Sequence, residues 1–186
     1  MPPKVRITRE DIVQAAVKIV RSSGAQALNA RIVAAMLDCS TQPVFSNFEN
    51  MDALRLAVVE KADGMCNAYI QREIEKGEFP QYKASGMAYI RFAREEKELF
   101  RLLYMRDRTE EQVPSQMVVS SQMETLIQKN TGLSGDRMRL FHLEMWAYVH
   151  GIATMFATGY LDMDWDLVSQ MLTDAYQGLK KQYAVE

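Results

Sequence analysis

Residues that break helices are scarce in this sequence, and their scarcity restricts the fold more than any other feature. The 186 residues include nine glycines and five prolines, so few turns are indicated. Apolar residues recur at helical spacing, and no segment alternates with period two for long enough to indicate a strand. The sequence therefore predicts an all-α fold with enough chain to bury a core.

Capping residues mark where the N-terminal helices begin. Thr8 is the predicted N-cap of the first helix, which ends at Gly24, and Asn29 is the predicted N-cap of the second. Ser40 and Asn50 are expected to cap the third and fourth helices in the same way. Five further helices are predicted at about 81–95, 97–106, 112–130, 134–159 and 164–184.

The second and third predicted helices are separated by a segment so short that only a tight turn can bridge it. Asp38 is among the residues that tolerate the positive φ such a turn requires. Pro43 falls in the first turn of the third helix, where a missing N–H costs no hydrogen bond. Val44 and Phe48 are expected to face inward. The second helix is expected to bury a stripe formed by Ile32, Val33, Met36 and Leu37.

Three short helices with a tight turn between the last two are the features of a helix-turn-helix, whose third helix lies in the major groove of DNA. The amides of Gln42 and Asn47 suit adenine, while Thr41 and Ser46 suit bases or phosphates. The alternative is that these polar side chains are merely solvated. The predicted DNA-binding residues are Lys4, Arg6, Asn29, Arg31, Ser40, Thr41, Gln42, Pro43, Phe45, Ser46, Asn47 and Asn50.

Basic residues at the N-terminus add weak support for a polyanionic partner. Residues 1–50 carry six basic and four acidic side chains, whereas the remainder of the chain is acidic on balance. Two interpretations suit the basic residues Lys4, Arg6 and Arg9. They contact DNA, by neutralising phosphate or by entering a neighbouring minor groove, or they belong to an N-terminal tail without a function. The charge pattern alone leaves both interpretations open.

The N-terminal third resembles the TetR family of transcriptional regulators. The resemblance covers Ile12 to Val58, which read IVQAAVKIVRSSGAQALNARIVAAMLDCSTQPVFSNFENMDALRLAV. An apolar helix, Gly24, a small cap, a short apolar helix, a turn and a polar helix ending in aromatic-x-x-Phe follow in the family's order. The run WAYVHG, Trp146 to Gly151, is similar to the W-x-x-x-H-G signature in the ligand domain of one TetR subgroup. KELFRLLYM, from Lys97, resembles the helix that precedes it there.

The resemblance implies a ligand-responsive homodimer that binds double-stranded DNA at a palindromic operator. Residues 1–50 would form the helix-turn-helix domain and residues 51–186 the ligand-binding and dimerisation domain, with the fourth helix linking the two. A small-molecule effector would release the protein, as a repressor, from its operator. The last two helices would form the dimer interface; the resemblance alone favours this, because the apolar stripe of the last helix by itself indicates packing within one chain.

Three positions depart from the family's usual pattern. Asp38 stands where the family usually has glycine, and Met51 stands where a lysine often begins helix four. Phe45 stands where a tyrosine hydroxyl usually reaches phosphate, which leaves only apolar contact with a sugar or a methyl group. Phe45 and Met51 favour an alternative function: a small-molecule-binding or helical scaffold protein with weakened or lost DNA binding.

The C-terminal part is rich in side chains that suit an apolar pocket. Methionine occurs 13 times in the chain, and its flexible side chain suits either a plain core or a cavity for varied apolar ligands. His150 is either a core histidine beside Trp146 or a pocket residue. The predicted ligand-pocket residues are Tyr104, Met105, Met123, Trp146, His150 and Met155.

Several other classes of function find no support in the sequence. His142 and His150 lie eight residues apart, which is not a metal-ligand spacing, and Cys39 and Cys66 indicate neither a metal site nor a disulfide framework. No nucleophile elbow, phosphate-binding glycine loop or paired-carboxylate motif indicates an enzyme, and no cofactor is indicated. No apolar run is long enough to span a membrane and no secretory signal is evident, so we expect a cytoplasmic protein.

Overall fold

The computed structural model describes residues 7–107 and 119–183. Within these ranges all the regular structure is helical, and the predicted all-α fold is confirmed. One 3-10 turn, Ala25–Ala27, accompanies the α-helices. The α-helices of the described ranges are α1 (Arg9–Ser23), α2 (Ala30–Met36), α3 (Gln42–Asn47), α4 (Met51–Lys76), α5 (Gln81–Glu95), α6 (Lys97–Tyr104), α7 (Ser121–Thr131), α8 (Gly135–Thr158) and α9 (Trp165–Gln182).

The chain divides into two compact units. The first contains the described residues of Met1–Cys66 and Glu96–Arg106, and the second contains those of Asn67–Glu95 and Asp107–Glu186. These units do not follow the predicted division after residue 50, because the N-terminal part of α4 and the whole of α6 belong to the first unit.

The first unit is built around α1. Thr8 caps α1 as predicted, since its side chain accepts a hydrogen bond from the backbone N–H of Asp11 and the Asp11 carboxylate accepts one from the backbone N–H of Thr8. This reciprocal pair satisfies two N–H groups that the first turn of a helix leaves without partners. The apolar face of α1 is buried through Ile12, Val13, Ala15, Ala16, Val17, Ile19 and Val20.

A partly buried ion pair joins α1 to the residue before α6. The guanidinium of Arg21 donates hydrogen bonds to both carboxylate oxygens of Glu96, with an Nε–Oε2 distance of 2.7 Å. Glu96 is buried, whereas the Arg21 side chain is half exposed. This bidentate pair is one of the contacts that hold α6 against α1 in the first unit, together with the packing of the two helices.

The predicted turn between α2 and α3 is confirmed. Asn29 caps α2 by accepting from the backbone N–H groups of Arg31 and Ile32, both at 3.1 Å. Asp38 has a φ of 50°, and it is the single non-glycine residue of the described ranges with positive φ. The backbone N–H of Cys39 donates to the Ala34 carbonyl, which closes the turn after α2.

Two predictions about these helices are wrong. Ser40 does not cap α3: the N-cap position is Thr41, whose backbone is already helical, and its carbonyl accepts from Val44 and Phe45 without a side-chain cap. Ile32 and Met36 are exposed by 42% and 48%. The short α2 buries only a narrow face, formed by Val33 and Ala34, so apolar residues on its other side meet water; Leu37 is half-buried.

The fourth helix begins as predicted. Asn50 caps α4 by accepting a hydrogen bond of 2.9 Å from the backbone N–H of Ala53. In the first unit α4 buries Leu54 and Val58.

In the second unit α5 and α8 form the most extensive helix pair, and α9 packs on both. A core cluster comprises Tyr82, Ile127, Leu133, Met138, Phe141, Met145 and Tyr183. Ser120 caps α7, so this helix begins at Ser121; the predicted start at residue 112 lies outside the described residues. No helix of the described ranges is long and apolar enough to cross a membrane.

Candidate nucleic-acid interface and effector-binding unit

The outward face of α3 carries the side chains that the sequence predicts for DNA reading. Val44 and Phe48 are buried, so they fix which side of the helix packs on the unit. Gln42, Phe45 and Ser46 are consequently exposed. Among the remaining predicted positions of this segment, Ser40 is exposed and Thr41, Pro43 and Asn47 are half-buried.

Two polar side chains of α3 are already engaged with their own helix. The Ser46 hydroxyl donates to the Gln42 carbonyl at 2.9 Å, and the Asn47 side-chain amide donates to the Pro43 carbonyl at 2.8 Å. Ser46 therefore presents mainly an acceptor oxygen to the outside, and Asn47 retains its carbonyl oxygen and one amide hydrogen. Gln42 is left as the exposed amide best able to make a bidentate contact with a base.

The predicted DNA-binding residues at the helix ends hold the local backbone. The Asn29 and Asn50 side chains are exposed and serve as N-caps of α2 and α4. Arg31 is exposed in the first turn of α2. Lys4 and Arg6 lie outside the described residues.

The segment that would meet DNA has little positive charge. Arg31 is the one basic residue between positions 29 and 50, and Asp38 and Glu49 are acidic. Arg9, at the start of α1, places its guanidinium 4.7 Å from the centre of the Phe48 ring. Ile32 and Met36 add exposed apolar side chains on α2, which helical periodicity did not predict because it does not show how narrow the buried face of a helix is.

In the second unit the structure brings Trp146 and His150 together. Their rings are stacked on α8, with centres 4.7 Å apart and planes inclined by 17°. The Nδ1 atom of His150 and the Tyr89 hydroxyl share a hydrogen bond of 2.9 Å. Burial disfavours the charged imidazolium and so lowers the pKa of His150 below its usual value. Tyr89 was not predictable as a partner of His150, because the two residues are 61 positions apart on different helices.

A second tyrosine–histidine pair lies on the same two helices. The Tyr82 hydroxyl and His142 Nδ1 are also 2.9 Å apart, and both residues are buried. Burial lowers the pKa of His142 and raises that of Tyr82, so both side chains are neutral and the Tyr82 hydroxyl can donate to the ring. His142 is therefore a hydrogen-bonded core residue, and within the described residues no group of three metal-ligating side chains could hold an ion.

The other predicted pocket residues are distributed over both units. Tyr104 and Met105 belong to the first, where the Tyr104 hydroxyl lies 3.9 Å from Cys66 Sγ and Met105 is exposed. Met123 packs against the core cluster of the second unit, and Met155 is half-buried on α8.

The C-terminal part identifies the family. Residues 82–176, just over half of the chain, match the family model described as tetracyclin repressor-like, C-terminal domain. The chain belongs to this TetR family.

Two solved structures share the TetR fold of this chain. A protein of unknown function from Rhodococcus sp. RHA1 superimposes with a TM-score of 0.71 at 21% identity, over 98% of each chain. A TetR-like transcriptional regulator from Rhodococcus sp. RHA1 superimposes with a TM-score of 0.65 at 17% identity, over 96% of this chain and 98% of its own. None of the curated proteins matches this TetR chain in sequence.

Of the three positions at which this TetR chain departs from the family's usual pattern, one is on α3, one is in the turn before it and one begins α4. Phe45 is 52% exposed, and its ring has no hydroxyl to offer to a phosphate. Met51 begins α4 and is half-buried. The Asp38 backbone adopts the positive φ for which glycine is better suited.

Proposed function

We propose that this TetR chain is a ligand-responsive, dimeric transcriptional regulator that binds a palindromic operator and leaves it, as a repressor, when a small molecule binds. The observation that carries the proposal is the outward face of α3, where Gln42 and Ser46 are exposed on a helix anchored by Val44 and Phe48. The TetR-like regulator of similar fold supports it. The proposal includes a cytoplasmic location, no membrane partner and no catalytic step.

The test is DNA binding by the full-length protein. Duplexes selected from a random library, and the DNA upstream of the protein's own gene, should bind selectively and more weakly as salt increases. Replacing Gln42 and Asn47 together with alanine should lower selective affinity by about tenfold or more, since each bidentate base contact contributes roughly 1–3 kcal/mol. Gln122→Ala, which removes an exposed amide on α7, is the matched control. The proposal fails if wild-type protein enriches no sequence.

An exposed stripe on α8 supports the homodimer. Leu140, Leu143, Ala147 and Gly151 recur at three- and four-residue intervals on one side of the helix, and all four are exposed. A face of small and apolar residues suits close packing against the same helix of a second copy. On α9, by contrast, Val168 and Leu172 are buried within the chain and Leu167 is exposed.

The dimer is tested by light scattering on the purified protein. Leu140→Glu and Leu143→Glu should each shift the molecular mass from dimer towards monomer, because a carboxylate would be buried in the interface. Leu161→Glu, at an exposed leucine after α8, is the matched control. A wild-type monomer at micromolar concentration would contradict the dimer.

We propose that the effector site lies in the ligand domain, with Trp146, His150 and Met155 as its central residues and Met123 as a further contact. The stacked rings of Trp146 and His150, both half-buried, support this assignment and a relationship to the W-x-x-x-H-G subgroup. A panel of apolar compounds should contain members that raise the melting temperature of wild type and release it from DNA. Trp146→Ala should abolish both effects, whereas Tyr160→Ala, at an exposed aromatic residue outside this cluster, should abolish neither.

The alternative function is that of a small-molecule-binding or scaffold protein with weakened or lost DNA binding. Phe45 and Met51 favour it, because they remove a hydroxyl and a cation that the family usually directs at phosphate. The single basic residue between positions 29 and 50 favours it as well. This alternative predicts ligand binding and dimerisation without salt-sensitive, sequence-selective DNA binding, so the selection experiment separates the two functions.

A further inference from the structure

We propose that Phe45 determines part of the DNA specificity by contacting the C5 methyl group of one thymine in each half of the operator. The inference rests on the proposed function, because it requires α3 to lie in the major groove. It adds the identity of a base and the residue that distinguishes it.

Phe45 lies on the flank of the outward face of α3. Successive helical residues are turned by about 100°, so Phe45 is turned by that angle from the buried Val44. Gln42 and Ser46 are turned still further from the core, and they occupy the middle of the outward face. The Phe45 ring, which is 52% exposed, is therefore available to contact a partner that binds the outward face of α3.

The hydrogen-bonding groups around Phe45 do not duplicate its role. Ser46 and Asn47 donate to carbonyl groups of their own helix, and Gln42 is suited to the polar edge of a base. Among the base edges of the major groove, thymine alone presents a methyl group. An exposed apolar ring beside the hydrogen-bonding face of α3 is therefore chemically matched to that methyl group.

The segment between positions 29 and 50 has little positive charge to attract DNA phosphates, so apolar contact must supply a larger part of its binding free energy. One basic residue and two acidic residues lie between positions 29 and 50, so phosphate neutralisation by this segment is small. The apolar side chains of Ile32 and Met36 are also exposed on α2. A ring packed on deoxyribose would be indifferent to sequence, whereas a ring on the methyl group distinguishes thymine from uracil and cytosine.

Replacing thymine by uracil removes that methyl group and nothing else. A duplex of about 30 base pairs carrying the selected operator is prepared with deoxyuridine at each thymine in turn, symmetrically in both halves. At one thymine position, the change to uracil should weaken wild-type binding by about fourfold per half-site, or roughly 15-fold in all. This is the expected effect of losing one buried methyl group in each half of the operator. Deoxyuridine outside the operator should change nothing.

A variant then assigns the effect to Phe45. Phe45→Ala should bind the thymine operator more weakly than wild type does, and should bind the thymine and uracil duplexes equally. Phe45 is 52% exposed and lies outside the buried core, so this variant should fold and have a melting temperature close to that of wild type. Ile32→Ala, which removes an exposed apolar side chain from α2, should weaken binding while leaving the preference for thymine over uracil intact.

The outcomes separate this inference from the proposed function. If wild type selects no sequence, both the proposed function and this inference are wrong. If wild type binds selectively but uracil weakens binding at no thymine position, the inference is overturned and the proposed function stands. The same holds if Phe45→Ala retains the full preference for thymine.

Discussion

Tyr89 of α5 and His150 of α8 are joined by a hydrogen bond of 2.9 Å. Tyr82, which lies seven residues before Tyr89 on α5, makes an equivalent hydrogen bond to His142 of α8. Two neutral histidines thus link the two helices with the most extensive packing in the second unit. Because neither imidazole can gain a proton there without losing its neutral hydrogen-bonding pattern, we expect the stability of this unit to depend on pH.

The free energy of unfolding should decrease as the pH falls from about 7.5 to about 5.5. Burial lowers the pKa of His142 and His150 in the folded state, so the unfolded chain takes up protons first, near its ordinary histidine pKa. The stability is fully present above the unfolded pKa and is lost below it, by at most about 1.4 kcal/mol per pH unit for each histidine. Urea denaturation at both pH values measures the decrease, and His142→Asn should reduce it.

Tyr82→Phe should lower the free energy of unfolding by about 1–3 kcal/mol, because it leaves His142 Nδ1 buried without its partner. Tyr89→Phe is the matched change at the second pair, and its effect should be smaller because His150 is only half-buried. Equal effects of the two variants in chemical denaturation would contradict the assigned difference in burial.

Arg21→Ala should lower the free energy of unfolding by about 1–3 kcal/mol, because the buried Glu96 carboxylate would lose the hydrogen bonds that the Arg21 guanidinium donates. Adding Glu96→Gln to this variant should restore part of the loss, since the neutral amide is cheaper to bury. A double variant no more stable than Arg21→Ala would show that the charge on Glu96 is not the source of the cost.

Asn29→Ala should lower the free energy of unfolding by about 1 kcal/mol, because it removes the acceptor for two backbone N–H groups of α2. Ser40→Ala should change it by less than about 0.5 kcal/mol, since Ser40 is not the N-cap of α3. Thermal denaturation of both variants tests the assignment of the caps.

Lys4→Ala and Arg6→Ala should each reduce the dependence of DNA binding on salt. The slope of log affinity against log salt should decrease by about 0.9 for each phosphate contact removed, and each substitution acts twice in a dimer. Lys129→Ala, at an exposed lysine of α7, is the control. An unchanged slope would assign these two residues to an idle tail.

Local features of this protein were predictable because their causes lie within a few residues. Thr8, Asn29 and Asn50 cap their helices through bonds to N–H groups two or three positions away, and the φ of Asp38 follows from the short turn that contains it. The inward position of Val44 and Phe48 followed from their spacing. The cap of α3 was predicted one residue early, because Ser40 and Thr41 are both suitable caps and the backbone of Thr41 decides between them.

The sequence by itself thus determined the helical class, most helix limits and the helix-turn-helix with its outward-facing Gln42, since short-range periodicity and capping control all of these. Only the tertiary structure decided which distant side chains meet. The pairs Arg21–Glu96 and Tyr89–His150 join residues more than sixty positions apart, and no local pattern identifies the partner. The tertiary structure also determined that Ile32 is exposed, because a helix buries only the face that its neighbours cover.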